Sequence, residues 1–326
     1  MHPNDLWHSP ALDAKLARLA LTPASWLYGL GWEIYLATYR FGLKRAQKPH
    51  RQVVCIGNLQ VGGSGKSPLT LFVADLLQRA GREVVVSCSG YGSPRAESAT
   101  LAPEGELNAR EWGDEPAMFR WLRPDLPLIV GRKRVRAAEI AHASFPNSVM
   151  LMDDGFQHLP LRKDTTILLD PLHPDNARCL PAGPYREPRW NRKRANLVIP
   201  GEFHVESGRT VLTTPQGETA SPVRYSVLCA IGHPLGFMSA LERDCPSQEG
   251  PVSRVLLPDH DPLDKGNLFA SLHPEFPVVV TAKDWVKLRE REDVHERTIY
   301  IARQEVRVEP LKAFESWLLD RTRAEA

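Results

Sequence analysis

A glycine-rich segment that ends in a lysine and a serine is the stretch of this sequence best suited to chemistry. It covers residues 56–68, between an apolar stretch and a stretch with helical periodicity. Glycines allow backbone conformations that other residues avoid, so consecutive N–H groups can point at phosphate oxygens. The pattern therefore predicts a loop that binds the phosphates of a nucleotide. The residues that we expect to hold the nucleotide are Gly62, Gly63, Ser64, Gly65, Lys66 and Ser67.

Two side chains at the end of this loop match groups that bind phosphates and their metal ion. Lys66 is placed to reach the β- and γ-phosphates, and the Ser67 hydroxyl is placed to bind Mg²⁺. The strict G-x-x-x-x-G-K-[ST] spacing is not met, because its first glycine falls on Gln60 and a G-G-x-G-K-S variant replaces it. The alternative is a flexible turn between a strand and a helix, but the flanking elements favour the phosphate loop.

A pair of acids follows a second apolar stretch further along the chain. Residues 149–152 are apolar, and Asp153 and Asp154 come directly after them. This is the form of a Walker B strand, in which a carboxylate at the C-terminal end holds Mg²⁺ directly or through water. The alternative is a solvated strand end. Together with the glycine loop, the acids predict a metal site.

The elements that must position these groups are alternating strands and helices. Apolar residues recur at helical spacing from Leu69 to Leu77, and a second helix is predicted at 133–143. This alternation predicts an α/β fold with a P-loop NTPase-like, mostly parallel sheet and helices on both faces. The glycine loop and the acids then lie at the sheet edge where ligands bind. Apolar stretches that predict strands lie at 52–56, 83–87, 128–130, 149–152, 165–170 and 197–200.

The composition is that of a globular protein, with 326 residues, 42% hydrophobic and 25% charged. A formal net charge of +2 gives no indication of a nucleic-acid partner. Five cysteines form no C-x-x-C pair, so neither zinc nor disulfides are predicted and a reducing cytosol fits best.

A basic cluster lies at the start of the helix predicted at 133–143. It fits a solvated face, and the alternative is contact with an anionic substrate or lipid headgroup. Its members are Arg132, Lys133, Arg134 and Arg136.

The N-terminal segment differs from the rest of the chain in its aromatic residues. Large apolar side chains recur at helical spacing from Trp26 to Phe41, and the residues that follow are basic. Glu33 and two glycines interrupt the stretch, whereas a membrane span needs about 20 predominantly apolar residues. We therefore expect an amphipathic helix at a membrane interface. The alternative is a helix packed on the protein's own core.

Seven short segments of the chain carry motifs that are specific in combination. The most specific are D-D-G-F-Q-H at 153–158 and L-P-A-G-P-Y-R-E-P at 180–188. The other segments are residues 57–68, 89–92, 113–116, 258–260 and 281–284. Together these segments resemble one known family, the tetraacyldisaccharide 4′-kinases of lipid A biosynthesis. The match extends from the N-terminal helix to about residue 290.

The resemblance implies phosphoryl transfer from ATP to the 4′-hydroxyl of tetraacyldisaccharide 1-phosphate, with Mg²⁺, at the cytoplasmic face of the bacterial inner membrane. It also implies a second, smaller α/β lobe and a peripheral, monotopic attachment of a monomer through the N-terminal helix. The corresponding segments are 1–48 for the interfacial helix, 49–195 for the nucleotide-binding core and 196–326 for the lobe that closes over the cleft.

The resemblance also suggests roles for individual residues. Asp114, in the G-D-E-P motif, becomes the candidate general base, and His260, in the P-D-H motif, is placed to orient it or to relay its proton. Lys66 completes the catalytic set. The predicted metal ligands are Ser67, Asp153, Asp154 and Glu115, and the residues predicted to face the substrate are Asn58, Gln157, His158 and Arg186.

The sequence departs from the family pattern at two positions of these segments. Ser89 and Ala282 stand where the family usually has Arg and Glu.

Two other classes of protein have similar motifs. A GTPase or metallochaperone would select guanine with [NT]-K-x-D, but here Lys283 comes one position too late, which favours ATP. A nucleotide-gated membrane switch would use the same loop and helix to dock a partner, but no partner-binding repeat or coiled coil is evident.

Overall fold

Two sheets organise the chain into two lobes, according to a computed structural model that describes residues 3–63, 65–245 and 251–323. The sheets have seven and six strands. The α-helices are α1 (Pro3–His8), α2 (Leu12–Arg40), α3 (Lys66–Arg79), α4 (Ala109–Trp112), α5 (Asp114–Leu122), α6 (Arg134–Ser144), α7 (Pro234–Asp244), α8 (Ala282–Leu288) and α9 (Leu311–Arg321).

The first sheet holds the phosphate-loop strand at its centre. Its strand order is β3-β4-β2-β5-β1-β6-β7, and every pair is parallel except β3 with β4. Ile56 lies opposite Asp153, so the loop after β1 and the acids after β5 meet at one edge. The strands are β1 (Val53–Asn58), β2 (Val84–Cys88), β3 (Thr100–Leu101), β4 (Leu128–Val130), β5 (Val149–Asp153), β6 (Thr165–Leu169) and β7 (Leu197–Ile199).

Both faces of this sheet are covered, as the apolar strands predict. Side chains of successive strand residues point to opposite faces. Val54 and Ile56 therefore pack in the cluster that includes α3, and Val53 and Cys55 pack in the cluster that includes α6. The prediction of a mostly parallel sheet between two helical layers is confirmed.

The second sheet is mixed and smaller. Its order is β11-β10-β12-β13-β8-β9, in which the β13–β8 and β8–β9 pairs are antiparallel and the other pairs are parallel. β7 lies beyond the predicted lobe boundary at 195 but pairs with β6 of the first sheet. The strands are β8 (His204–Thr213), β9 (Thr219–Ala220), β10 (Ser226–Cys229), β11 (Arg254–Leu256), β12 (Val278–Thr281) and β13 (Ile299–Glu309).

The N-terminal helix α2 begins at Leu12, earlier than the aromatic pattern from Trp26 indicates. Its buried face consists of small residues, among them Ser25 and Gly29. Among the described helices, none is long and apolar enough to cross a membrane. The large apolar residues exposed on α2 are Leu12, Leu16, Leu19, Trp26, Leu27, Leu30 and Ile34.

Candidate active site

The loop between β1 and α3 takes the backbone conformations that its glycines permit. Gly62 has φ 104° and Gly65 has φ 77°, both in the left-handed region that other residues avoid. Gly65 directly precedes α3, so the N-terminal end of the helix faces the loop. Ser64, which we predicted to hold the nucleotide, lies outside the described residues.

The predicted metal-binding side chains meet at the start of α3. The Ser67 hydroxyl donates to Asp153 Oδ2 at 3.1 Å. One turn further along the helix, Thr70 donates to Asp153 Oδ1 at 2.9 Å. The register of β1 with β5 brings these groups together, since it places the end of β5 beside the loop. The two hydroxyls therefore hold the Asp153 carboxylate at the phosphate loop.

Asp154 lies among cations rather than hydroxyl groups. Arg186 Nη1 donates to both of its carboxylate oxygens, at 2.9 and 3.0 Å, and Lys66 Nζ lies 3.7 Å from Oδ2. Burial alone would raise the pKa of Asp154, but the charges of Lys66 and Arg186 lower it. The structure thus brings three of the predicted residues together, with Asp154 linking the loop lysine to Arg186.

Two other carboxyl groups have raised pKa values. Burial, followed by the nearby charge of Glu115, raises the pKa of Asp153 to about 7. Burial is also the largest cause that raises the pKa of Glu115. Two hydrogen bonds from hydroxyl groups do not offset the loss of solvation and the mutual repulsion of these acids. A divalent cation would relieve that repulsion.

The donor set at this position suits Mg²⁺. Carboxylate and hydroxyl oxygens are the ligands that Mg²⁺ prefers, and it usually keeps several waters and phosphate oxygens besides one or two carboxylates. Among the described residues, no group of three or more His, Cys, Asp or Glu side chains could hold a metal by itself. A partial set built from Ser67 and Asp153 is therefore what a metal shared with nucleotide phosphates requires.

The second acidic centre lies where the two lobes meet. Asp114 is the first residue of α5, and its Oδ2 lies 3.0 Å from Nδ1 of His260, which belongs to the second lobe. Lys283 Nζ, from the first turn of α8, lies 3.5 Å from the same oxygen. Burial would raise the pKa of Asp114, but the hydrogen bond with His260 and the charge of Lys283 hold it at about 2. The carboxylate is therefore ionised at neutral pH.

The P-D-H segment of the second lobe also lies beside the phosphate loop. A Cβ atom added to Gly232 would lie 3.1 Å from the Gly63 amide nitrogen and 3.0 Å from Asp259 Oδ2. Gly232 therefore permits a close approach of the second lobe to the loop, and a larger residue would fit there only if its neighbours shifted. Asp259 directly precedes His260, so the loop glycines and the Asp114–His260 pair line one cleft between the lobes.

The remaining residues predicted to face the substrate contact the protein itself. Asn58 is almost fully buried, and its Nδ2 donates to the Gln60 carbonyl. Gln157 Nε2 donates to the Asn58 carbonyl and to Glu187 Oε1. His158 is half-buried, and burial together with the charge of Lys163 lowers its pKa to about 4. A substrate role for Asn58, Gln157 and His158 stays a prediction.

Three residues at the site had no assigned role in the sequence analysis. Thr70 contacts Asp153, and Lys283 contacts Asp114. Arg134, which the sequence placed on a solvated face, is instead buried, and it donates to Ser87 Oγ and the Asp153 carbonyl. That interpretation is wrong for Arg134 because the guanidinium spans the ends of β2 and β5. A basic cluster alone gives no signal of such burial.

Nucleotide-dependent phosphoryl transfer is the chemistry that this arrangement serves, and the fold and site define a P-loop kinase. A family model described as Tetraacyldisaccharide-1-P 4′-kinase matches residues 17–323. A "Tetraacyldisaccharide 4′-kinase" of Herminiimonas arsenicoxydans is 33% identical over 310 residues, 85% of this chain and 84% of that protein. The chain therefore belongs to the tetraacyldisaccharide-1-P 4′-kinase family. It is a lipid kinase of lipid A biosynthesis, and the kinase prediction is confirmed.

A solved structure has the same fold. The crystal structure titled "apo" form LpxK from Aquifex aeolicus in complex with ATP superimposes with a TM-score of 0.79 and 23% sequence identity. The alignment covers 94% of this chain and 100% of that chain. The likeness extends over both lobes, and it confirms the predicted α/β fold class with the N-terminal helix.

Proposed function

We propose that this protein phosphorylates the 4′-hydroxyl of tetraacyldisaccharide 1-phosphate with Asp114 as the general base and His260 as its partner. The observation that carries the proposal is the 3.0 Å contact between these two side chains at the cleft beside the phosphate loop. A carboxylate with a pKa of about 2 is ionised at neutral pH, which is the form that a base needs to accept a proton. Protein kinases use an aspartate in the same way.

The nucleotide site supplies the phosphoryl donor. ATP binds with its phosphates against the loop amides, and Lys66 balances their charge. Ser67 and Asp153 are the residues that would hold Mg²⁺, with Asp154 and Glu115 near it. When bound, the ion neutralises charge on the phosphate oxygens. Asp154 also forms ion pairs with both Arg186 and Lys66 and so holds these two side chains close together.

The reaction exchanges one P–O bond for another. The 4′-oxygen of the sugar forms a bond to the γ-phosphorus as the bond to the β,γ-bridging oxygen breaks. The hydroxyl proton passes to the Asp114 carboxylate, and ADP leaves with the bridging oxygen. Lys66 and the loop amides stabilise the charge on the transferred group, which is the main requirement of phosphoryl transfer.

The lipid substrate requires access from a membrane surface, and α2 is suited to provide it. The exposed leucines of α2 lie on one side of the helix, and basic residues, among them Lys44 and Arg45, follow its end. Such a helix lies in the interface and is attracted to anionic lipids. Peripheral attachment of a monomer to the cytoplasmic face of the inner membrane is part of the proposal.

The catalytic assignment is tested with Asp114→Asn and His260→Asn in a lipid phosphorylation assay. A positioned general base contributes about 10²- to 10⁴-fold, so we expect Asp114→Asn to lower kcat within that range. The KM for ATP should change little, because the nucleotide contacts other residues. Asp264→Asn, at an exposed position of the second lobe, is the control. A kcat close to that of the wild type in Asp114→Asn would refute the assignment.

A further inference from the structure

Lys283 contacts both members of the Asp114–His260 pair. Its Nζ lies 3.5 Å from Asp114 Oδ2 and 3.4 Å from His260 Nε2, and it also lies 3.3 Å from Asp259 Oδ1. These three groups come from both lobes. Asp114 begins α5 of the first lobe, and Asp259 and His260 follow β11 of the second lobe. One ammonium group thus contacts Asp114, Asp259 and His260.

The position of Lys283 is fixed by the start of its helix. Thr281 caps α8 by accepting from the Asp284 backbone N–H, and its hydroxyl donates to Asp284 Oδ2 at 2.7 Å. Asp284 is fully buried and pairs with Lys287 at 3.0 Å. The side chain of Lys283 itself is only 17% exposed. The ammonium group of Lys283 is therefore held in one position beside Asp114 and His260.

The contact with His260 determines which imidazole nitrogen carries the proton. A lysine ammonium has three donors and no acceptor, so the His260 Nε2 atom 3.4 Å from it accepts, while the Asp259 carboxylate lies farther from that nitrogen, at 3.8 Å. In a neutral imidazole the other nitrogen then carries the hydrogen, and Nδ1–H donates to Asp114 Oδ2. The charge of Lys283 opposes protonation at Nε2, although the hydrogen bond with Asp114 raises the pKa of His260 overall. Hydrogen bonding by the second nitrogen is what sets a histidine tautomer in general.

We propose that Lys283 is a positioning residue that holds His260 in the Nδ1–H tautomer and aligns the Asp114 carboxylate toward the acceptor hydroxyl. The inference rests on the proposed role of Asp114 as the base. Lys283 acts through these two side chains and not on the phosphates. Its charge also offsets the two carboxylates of Asp114 and Asp259, which would otherwise repel each other across the cleft.

Kinetics of four variants test this role. Misplacement of a catalytic group by about 1 Å costs about 100-fold in rate, so we expect Lys283→Met to lower kcat about 100-fold while the KM for ATP changes less than about threefold. Lys283→Arg, which keeps the charge, should recover at least about tenfold of that loss. Lys265→Met, at an exposed lysine of the same lobe, should behave as the wild type. In an Asp114→Asn background, Lys283→Met should lower kcat less than about threefold further, because residues that act as one unit are not additive.

Each outcome decides the inference. A loss of about 100-fold that persists in the Asp114→Asn background would show that Lys283 acts independently, and would overturn the proposal. So would an unchanged kcat in a folded Lys283→Met. If Asp114→Asn alone keeps the wild-type kcat, the assignment of the base fails, which the single variant reveals separately from any result at Lys283.

A second measurement reports the tautomer without catalysis. Long-range ¹H–¹⁵N NMR of the free protein, with His260→Asn to assign the signals, distinguishes a protonated Nδ1 from a protonated Nε2. We expect Nδ1–H in the wild type and in Lys283→Arg, and a mixture of tautomers in Lys283→Met. Protonated Nε2 as the main neutral form in the wild type would overturn the proposal, even if Lys283→Met were too unstable for kinetics.

Discussion

The pKa values of the buried carboxyl groups at the site are lowered or raised according to the neighbouring side chains. Asp114 and Asp154 each lie beside a lysine and a second cationic or hydrogen-bonding side chain, and their pKa values are lowered. Asp153 and Glu115 receive no comparable compensation, and burial raises their pKa values. Groups with opposite shifts in one cleft are typical of functional sites. The first two are built to stay ionised, and the last two are placed where a cation would stabilise them.

The His260–Asp114 contact should make stability depend on pH. The hydrogen bond with Asp114 raises the pKa of His260, and the charge of Lys283 opposes that shift. A raised pKa in the folded state contributes stability that is fully present below pH about 6.5 and is lost as pH rises through the folded pKa. We therefore expect Asp114→Asn to lower the free energy of unfolding more at pH 6 than at pH 9.

Urea denaturation of the wild type and Asp114→Asn at the two pH values measures this difference. His260→Asn supplies the control, because in its background the effect of Asp114→Asn should be the same at pH 6 and pH 9. The salt bridge with Lys283 contributes at both pH values and therefore cancels. A larger effect of Asp114→Asn at pH 9 would contradict the account.

The sequence predicted those site residues whose type and spacing carry a local signal. Lys66, Ser67 and the acids after β5 belong to short motifs, and the structure brings them together. Arg134 and Lys283 could not be assigned in this way, because their partners come from distant segments. A lysine in the first turn of a helix is common, and only the packing of α8 against α5 places this one beside Asp114.

At the scale of elements, α2 presents two different faces. Its buried face is held to the segment at 179–191, where Ser25 donates to the Cys179 carbonyl and Tyr28 donates to the Arg186 carbonyl. Glu33 accepts from Trp190 and Asn191 of the same segment. The opposite face exposes leucines and a tryptophan. The helix therefore connects the proposed membrane surface directly to the backbone of Arg186.

A negative charge introduced on the exposed face of α2 should weaken membrane binding without unfolding the protein. Leu27 is 70% exposed, so Leu27→Glu removes little buried area in the free protein. It should lower the fraction bound to vesicles of phosphatidylethanolamine and phosphatidylglycerol in a sedimentation assay, because an acid at the interface is repelled by anionic lipid. We expect at least about a threefold loss, since a basic residue near the surface contributes about 1 kcal/mol and an acid has the opposite sign.

Leu235 provides a matched control in the second lobe. It is 71% exposed on α7, and Leu235→Glu makes the same chemical change on another surface. Vesicle binding of this variant should equal that of the wild type. Equal losses in both variants would show that net charge, and not α2, governs the association.

Strands were easier to predict than the N-terminal helix. Each apolar stretch that predicted a strand in the first sheet became one, since parallel strands covered on both faces are continuously apolar. Within the predicted interfacial segment at 1–48, the helical spacing of large apolar side chains was evident only from Trp26, but α2 begins at Leu12. Pro23 lies inside it, and a proline usually marks a helix start or break in a sequence. The preceding helix α1 is held to the segment at 176–182, because Trp7 Nε1 donates to the Pro181 carbonyl and Asn176 Nδ2 donates to the Trp7 carbonyl. Arg18, in the turns of α2 before Pro23, donates to the Leu6 and Ser9 carbonyls and so ties those turns to α1.

On the scale of the whole molecule, the C-terminal helix joins the two lobes. α9 follows β13 of the second sheet, yet its Phe314 stacks on Phe72 of α3 in the first lobe, with ring centroids 6.2 Å apart. Phe203, in the connection between the two sheets, meets the same ring edge-on at 5.5 Å. The fold of the first lobe could be predicted from local patterns, and the second lobe was implied by the family resemblance. The junction could not be predicted, because it joins residues distant in sequence.

Removal of the Phe314 ring should therefore destabilise the entire protein. The side chain is fully buried, and Phe→Ala changes in cores lower the free energy of unfolding by about 3–5 kcal/mol. We expect Phe314→Ala to lower the denaturation midpoint in urea accordingly. Phe41→Ala, at a phenylalanine that is 77% exposed, should leave it unchanged. A loss below about 1 kcal/mol in Phe314→Ala would contradict the packing described here.

The most direct test of the central claim is a lipid phosphorylation assay read by mass spectrometry. The protein is mixed with Mg²⁺-ATP and detergent-dispersed tetraacyldisaccharide 1-phosphate, and Lys66→Ala is the control. We predict that the lipid gains one phosphate group with the wild type and that Lys66→Ala reduces this gain at least about 100-fold, because the loop lysine stabilises the transferred group. ATP turnover that leaves the lipid unmodified would contradict the account.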